Sequence, residues 1–280
     1  MYNEQIKTIL ESYKISDIED VRSAIREVAQ KLILVGLSRA KFFNHVAFYG
    51  GTCLRMFHKL DRFSEDLDFT LIDEDIKDDF VDIACESAKR ELLSYGIEAE
   101  ITKKENTFNA NMIRRFFKIT TKTIINDYFE GMYACHHEDK ISIKLEIDSD
   151  KALQQGAKFE TQIITNPDFA VIKTFDISSL FAGKLGAVLN RNWKTRVKGR
   201  DFYDFLFYIS NNVTPNLAYL SAKEDIPFDI NSLKIALREK FEEVDFDQAK
   251  KDVIGFVRTD RFMEAWSKEL FLKTIDLIHN

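Results

Sequence analysis

The feature that most constrains the fold is a change in hydrophobic pattern near Pro167. Before it, short alternating stretches typical of strands are interspersed with amphipathic stretches typical of helices, whereas after it the pattern is helical throughout. Strands and helices that mix in one part of a chain and give way to helices alone indicate an α+β domain followed by a helical bundle. We therefore expect an α+β domain over residues 1–167 and a helical bundle over residues 168–280.

Predicted elements follow from the periodicity and from glycine punctuation. The predicted strands are residues 45–49, 63–71, 97–102, 112–121, 141–148 and 160–164. The predicted helices of the first domain are residues 16–37, 52–59 and 76–95, the first capped by Ser16 or Asp17. The predicted helices of the bundle are residues 178–189, 201–209, 231–241, 247–257 and 262–278.

Charge and cysteine content narrow the class of protein. The 280 residues contain 40 Lys and Arg against 46 Asp and Glu, a net charge of −6, which argues against nucleic-acid binding through the whole surface but leaves room for a local basic site. Three cysteines without a C-x-x-C pair indicate a reducing compartment. Without an N-terminal signal pattern or an apolar run of about 18 residues, the sequence predicts a cytoplasmic protein that does not bind membranes.

The most informative window runs from Gly50 to Leu71. Two glycines and Thr52 between a strand and a helix present backbone N–H groups and a hydroxyl to which phosphate can bind. Asp66 and Asp68 alternate in the next strand, so their carboxylates share one face, where Mg²⁺ could relieve their repulsion. Each feature has a plainer alternative, namely an ordinary turn and a solvated strand face.

Together these residues resemble a known family. The run from Gly50 to Arg55, followed by that from Arg62 to Phe69, resembles the first motif of the AbiEii/MenT-like nucleotidyltransferase toxins, a branch of the DNA polymerase β-type nucleotidyltransferase superfamily. Those proteins carry a Gly-Gly-Ser/Thr turn and an R-x-S-x-D-x-D strand. The resemblance implies a mixed sheet with flanking helices, a nucleoside triphosphate (NTP) substrate, and Mg²⁺ or Mn²⁺ held by Asp66 and Asp68.

A second window, residues 141–148, alternates strictly between apolar and polar side chains. Its polar face carries Ser142, Lys144, Glu146 and Asp148. In the polymerase β-type superfamily a neighbouring strand supplies a third carboxylate, and the central Glu146 is a better candidate than Asp148. A solvent-facing charged strand is an equally good explanation of this pattern.

A third window reverses the overall charge. The segment from Ile177 to Arg200 contains no acidic residue. It contains six cations: Lys184, Arg191, Lys194, Arg196, Lys198 and Arg200. Such a segment can attract a triphosphate or an RNA backbone, although a solvated basic helix end is the alternative. Lys184 lies among small residues, and Asp201 and Asp204 share a helical face, unless Asp201 only caps its helix. Both segments resemble later family motifs, which implies active-site roles for Lys184 and Asp201.

The residue patterns and the resemblance together give the candidate roles. The catalytic set is Asp66, Asp68, Glu146, Lys184 and Asp201. The nucleotide-binding set is Gly50, Gly51, Thr52, Arg55, Ser64, Lys184 and Arg200. The acceptor-binding set is Arg191, Lys194, Arg196 and Lys198, with Arg114, Arg115, Lys118 and Lys122 as further candidates. The third carboxylate stays open among Glu146, Asp148, Asp201 and Asp204.

The implied function is transfer of a nucleoside monophosphate from an NTP to an acceptor hydroxyl. By resemblance the acceptor is RNA, namely the 3′ end of tRNA, and the role is that of a toxin in a type IV toxin–antitoxin or phage-defence system with a cognate antitoxin. Two alternatives are a small-molecule nucleotidyltransferase acting on an aminoglycoside-like acceptor and a non-catalytic interaction protein of the same fold. The intact cluster of acidic residues argues against the latter, because an abandoned site has no physical reason to keep like charges together.

Overall fold

A computed structural model describes residues 4–72, 76–103, 112–129, 140–149, 155–191, 197–257 and 262–279. The chain divides into two compact units. The sheet unit comprises Met1–Phe48, Glu65–Asp150 and Thr161–Thr174, and the helical unit comprises Tyr49–Ser64, Lys151–Glu160 and Phe175–Asn280. These bounds differ from the predicted division at residue 167, because the chain passes between the units several times.

The sheet has seven strands: β1 (Val46–Tyr49), β2 (Leu67–Leu71), β3 (Ala99–Lys103), β4 (Met112–Thr120), β5 (Lys140–Asp148), β6 (Phe159–Ile164) and β7 (Ala170–Phe175). Their order is β3-β4-β5-β2-β1-β7-β6. β2 runs parallel to β5, and β1 parallel to β7, whereas β4 runs antiparallel to both β3 and β5. The predicted α+β class with a mixed sheet and flanking helices is therefore confirmed.

The described part of the sheet unit contains four α-helices: α1 (Glu4–Glu11), α2 (Ile18–Arg39), α4 (Asp78–Ser94) and α5 (Lys122–Tyr128). Asp17 caps α2, its carboxylate accepting a hydrogen bond from the Asp20 amide, as predicted. α2 packs closely on α4 at Gly36. Among the described helices, none is both long enough and apolar enough to cross a bilayer.

The helical unit contains α3 (Gly50–His58), α6 (Ile177–Asn190), α7 (Gly199–Ser210), α8 (Leu217–Glu224), α9 (Ile230–Glu242), α10 (Phe246–Val253) and α11 (Lys268–Thr274). Its core is aromatic. Phe202, Phe241 and Phe271 pack edge to face, and Phe246 stacks on Phe271 with ring centroids 4.4 Å apart. The phenylalanines of this core therefore serve packing, and they bury nearly all of α7.

Several boundaries differ from the sequence-based predictions. β7 lies beyond Pro167, where only helices were expected, because Ala170, Ile172 and Thr174 are buried at alternate positions. α3 begins at Gly50 instead of residue 52, and the predicted helix over residues 262–278 is regular only in α11. The shorter elements α1, α5 and α8 carry too few periodic residues to be predicted.

Substituting Gly36 tests the packing of α2 on α4. A Cβ atom at Gly36 would lie 2.4 Å from Cα of Ala88, so we expect Gly36→Ala to lower the free energy of unfolding by about 1–3 kcal/mol through overpacking. Gly255→Ala is the matched control, because no neighbouring atom of the described residues lies within 4 Å of its added Cβ. Urea unfolding measures both, and equal midpoints for the two variants would contradict the close packing.

Candidate active site

The acidic pair lies at one face of the sheet. β2 and β5 are parallel neighbours whose register places Asp68 beside Glu146. Asp66 precedes Asp68 by two residues, and its carboxylate reaches the same group of side chains because Lys144 of β5 contacts it. The structure thus brings together three carboxylates named from the sequence: Asp66, Asp68 and Glu146.

Two cations accompany these carboxylates. Lys144 Nζ lies 2.7 Å from Oε2 of Glu146 and 3.3 Å from Oδ2 of Asp66. Arg114 of β4 stands opposite Glu146 in register and pairs with Oε1 through its Nε. Burial opposes ionisation of Glu146, but the hydrogen bonds from Lys144 and Arg114 outweigh it and lower the pKa of Glu146. Glu146 is therefore an ionised anchor for two cations.

The donor chemistry of this group fits a divalent cation. Asp66 and Asp68 offer hard oxygen ligands, and both side chains are only partly buried, so water and phosphate oxygens can complete an octahedral shell. Within the described ranges no cluster of three or more His, Cys, Asp or Glu side chains is close enough to hold a metal ion. The group fits Mg²⁺, which needs only one or two protein carboxylates.

The helical unit contains the second polar group, which begins at the start of α3. Gly50 has φ +81°, a conformation that favours glycine, and the first backbone N–H groups of a helix have no acceptor within it. A Cβ at Gly51 would lie 2.7 Å from the Arg62 guanidinium and 3.1 Å from Ser64 Oγ, so a glycine is required there as well. Thr52 is 1% exposed, and its hydroxyl is thus less accessible than expected.

Asp204 is the centre of this group. It is fully buried and forms a bidentate ion pair with Arg62. Nε of Arg62 donates to Oδ1 at 2.6 Å, and an Nη donates to Oδ2 at 2.7 Å. Lys184 Nζ also lies 2.7 Å from Oδ2. Burial would raise the pKa of Asp204, yet Arg62 and Lys184 overcome it and hold that pKa below its ordinary value.

Lys184 links Asp204 to Asp201. Its ammonium donates to Oδ1 of Asp201 at 2.9 Å, and Arg191 pairs with Oδ2 of the same carboxylate. Burial lowers the pKa of Lys184 despite the attraction of Asp204. Among the described residues these contacts use two of the three N–H groups of the ammonium, and a third group could bind a phosphate oxygen.

Sequence reasoning missed some members of this group. Arg62 received no role, and neither did Tyr203, whose hydroxyl donates to Asp61 at 2.6 Å. A signal was present, since Asp204 lies within the strongly aromatic sequence of α7, where a buried carboxylate requires a cation.

Other predicted cations are already engaged. Arg55 lies over the Phe63 ring at 4.5 Å, and Arg200 lies over Phe256 at 4.2 Å. Lys198 immediately precedes α7. Lys194 and Arg196 lie outside the described residues.

Arg115 requires a correction. It is 2% exposed and pairs with Asp82 of α4 at 2.6 Å. The expectation that it contacts RNA is wrong, because a buried guanidinium paired within the sheet unit cannot reach a phosphate backbone.

Comparison with known proteins defines the class. The family model for the nucleotidyl transferase AbiEii toxin of type IV toxin–antitoxin systems matches residues 32–268. The chain therefore belongs to the AbiEii nucleotidyl transferase toxin family. Enzymes of this family are nucleotidyltransferases that generally use a divalent metal ion and an NTP, and an antitoxin accompanies such toxins.

Solved structures support the fold. MenT4, a nucleotidyltransferase toxin from Mycobacterium tuberculosis H37Rv, is 16% identical, with a TM-score of 0.57 over 97% of this chain and 88% of that one. JHP933 from Helicobacter pylori is 18% identical, with a TM-score of 0.52 over 94% of this chain and 90% of that one. A search of the curated proteins finds no match.

The burial of Asp204 predicts that removing its charge destabilises the protein. We expect Asp204→Asn to lower the free energy of unfolding at neutral pH by about 3–5 kcal/mol, because Arg62 and Lys184 lose their buried counter-charge. The exposed Asp247→Asn is the control. A loss no larger than that of the control would contradict the role of the pair.

The same variant predicts a pH dependence. A carboxylate whose folded pKa is lowered stabilises the protein above its unfolded pKa of about 3.9 and loses that contribution as the pH falls through the folded value. The difference between the wild type and Asp204→Asn is therefore largest near neutral pH and shrinks below about pH 4. Urea unfolding across this range checks the sign, and a difference that grows on acidification would contradict it.

Proposed function

We propose that this enzyme transfers a nucleoside monophosphate from an NTP to a hydroxyl of RNA, the tRNA 3′ end, in a reaction that depends on Mg²⁺ or Mn²⁺. The observation that supports it most directly is the pair of partly exposed carboxylates, Asp66 and Asp68, beside Glu146 in a chain of the AbiEii family. Neighbouring carboxylates repel each other, and a divalent cation beside Asp66 and Asp68 would relieve that repulsion more strongly than the ammonium of Lys144 does.

Asp66 and Asp68 would hold the ion. When bound, the ion neutralises charge on the α-phosphoryl group as the acceptor oxygen attacks and pyrophosphate leaves. Glu146 is our candidate for the third carboxylate, on the strength of its register with Asp68. Because its pKa is lowered, it is a weak base at neutral pH, so we assign it the orientation of neighbouring groups and not removal of the acceptor proton.

Phosphate binding is assigned to the helical unit. The backbone N–H groups at Gly50 and Gly51 begin a helix, and Ser64 Oγ lies next to Gly51. Lys184 keeps an N–H group for a phosphate oxygen while Asp201 and Asp204 fix its position. Thr52 is buried, and Arg55 and Arg200 each contact an aromatic ring, so these three residues are less accessible than the others. We keep them in the proposed nucleotide-binding set.

The acceptor is assigned to the basic segment. Arg191 and Lys198, together with Lys194 and Arg196, would bind RNA phosphates in an otherwise acidic protein. Reduced cysteines and an NTP substrate both suit the cytoplasm, where we place the enzyme.

One observation favours a second candidate function. Arg191 pairs with Asp201 and Arg200 lies over Phe256, so fewer cations are available to RNA than the sequence suggests. A small acceptor of the aminoglycoside type needs no such cations, and we retain it as the alternative.

Activity tests the role of the aspartates. Purified protein is incubated with each labelled NTP, Mg²⁺ and total tRNA. We expect Asp68→Asn to reduce label transfer by about two orders of magnitude or more, because a catalytic metal ion contributes several kcal/mol of charge stabilisation.

Glu100→Gln is the matched control, since it removes an exposed carboxylate from β3 of the same sheet. It is expected to keep wild-type transfer. Equal rates of label transfer by Asp68→Asn and the wild type would contradict the proposal, and so would the absence of transfer by the wild type to any acceptor.

The chemistry of the acceptor tests its identity. Periodate oxidation converts the terminal ribose diol of tRNA to a dialdehyde, so we expect it to abolish transfer if the 3′ end is modified. Undiminished label in oxidised tRNA would point to another RNA site, and label in an aminoglycoside alone would favour the alternative.

A further inference from the structure

Lys144 occupies a position that neither the family motifs nor the proposed reaction explains. Its ammonium lies between two carboxylates of the sheet unit, 2.7 Å from Glu146 and 3.3 Å from Asp66. Asp66 is a proposed metal ligand, so a cation of the chain itself contacts an oxygen that a metal ion would need. An ammonium and a divalent ion that contact the same carboxylate repel each other, so the ammonium of Lys144 weakens the attraction of Asp66 for a metal ion.

The two contacts of Lys144 are unequal. Glu146 is on the same strand two residues away, lies closer, and is itself fixed by Arg114 from the neighbouring strand. Asp66 precedes β2, lies farther from the ammonium and is 41% exposed. Glu146 is therefore the anchor of Lys144, and the contact with Asp66 is the weaker one, of the kind that solvent and competing ions readily replace.

Lysine suits an exchangeable contact. Its ammonium is a compact point charge on a flexible four-carbon stem, so it can leave one carboxylate while it keeps another. An arginine in the same place would hold its partner in a planar fork that resists such a movement.

We propose that Lys144 is an internal competitor for the divalent cation: its ammonium neutralises Asp66 when no metal ion is bound and withdraws towards Glu146 when one binds. The inference rests on the proposed role of Asp66 as a metal ligand. It follows that the metal ion alone binds weakly, and that an anion able to draw the ammonium away strengthens metal binding.

Calorimetric titration with MgCl₂ tests the competition without any turnover. We expect Lys144→Met to bind Mg²⁺ about tenfold more tightly than the wild type, because a unit positive charge a few ångströms from the ion is removed. Lys140→Met is the matched control, since Lys140 lies on the same face of β5, pairs with Glu100 and does not contact Asp66 in any described interaction. The control is expected to retain wild-type affinity.

The outcomes separate this inference from the proposed function. Equal affinities for wild type and Lys144→Met overturn the competition and leave the metal site intact. Absence of Mg²⁺ binding in both, or affinity unchanged by Asp66→Asn, overturns the metal site and the competition together. A gain of the same size in Lys140→Met also overturns the inference, because the effect would then reflect net charge.

A second measurement uses the wild-type protein and so does not depend on the folding of a variant. Brief acetylation followed by mass spectrometry reports how accessible each lysine amine is. We expect Mg²⁺ to lower labelling of Lys144 several-fold, because the ammonium withdraws to the more buried Glu146, and to leave Lys140 unchanged. Asp66→Asn is expected to give the lower labelling of Lys144 without Mg²⁺. Labelling of Lys144 that Mg²⁺ does not alter overturns the proposal.

Discussion

A carboxylate that is buried away from water needs cationic partners to stay ionised. In the helical unit Asp204 is such a carboxylate. It lies on a helix in which seven of the eleven other residues are aromatic or aliphatic, and it is 0% exposed. Desolvation of such a charge costs several kcal/mol, which only close and well-oriented partners offset. Arg62 and Lys184 are those partners. Arg62 in turn fills the space beside Gly51, so a side chain at that position would collide with the guanidinium. One buried charge thus determines a glycine, an arginine and a lysine far apart in sequence.

The sheet unit follows the same rule with a different balance. Asp66 and Lys144 are both partly exposed, so water as well as the ion pair stabilises their charges. Ion pairs of this kind contribute about 1 kcal/mol or less, and exchange of one partner costs little. The helical group is buried and held by close ion pairs, whereas the sheet group is partly exposed and its contact with Asp66 is longer. This difference suits their proposed roles, because a phosphate-binding lysine must be positioned before its ligand arrives and a metal site must exchange its ion.

Local pattern was sufficient to predict the central elements. The strands β4 and β5 and the helices α2 and α6 carry long periodic runs, and β1 is an apolar run that ends at two glycines. The predicted bounds of all five agree with the structure within a few residues. β7 could not be predicted in the same way, since six residues with two polar members are ambiguous without their partner β1. The division into units also depends on contacts between distant segments, and no local pattern encodes these.

The site was predictable as a set of residues but not as a set of contacts. The Asp66–Asp68 spacing alone places two carboxylates on one strand face, and the strict alternation of β5 identified Glu146. The neighbour relation between β2 and β5, which brings Glu146 to Asp68, is a long-range pairing that single-strand patterns do not specify. The charge on Lys144 was visible in the sequence, whereas its position between two acids required the register.

The basic segment shows why counting charges overstates what an acceptor can use. In the sequence, six cations without an acidic residue predict a strong positive electrostatic potential that would attract RNA. In the folded chain the acid that follows, Asp201, holds both Lys184 and Arg191. An RNA phosphate that binds Arg191 must therefore compete with Asp201, and loss of that partner changes the charge that Lys184 experiences. The proposed acceptor binding at Arg191 and the proposed phosphate binding at Lys184 would therefore be linked through one carboxylate, so that the affinity of either ligand would depend on the presence of the other.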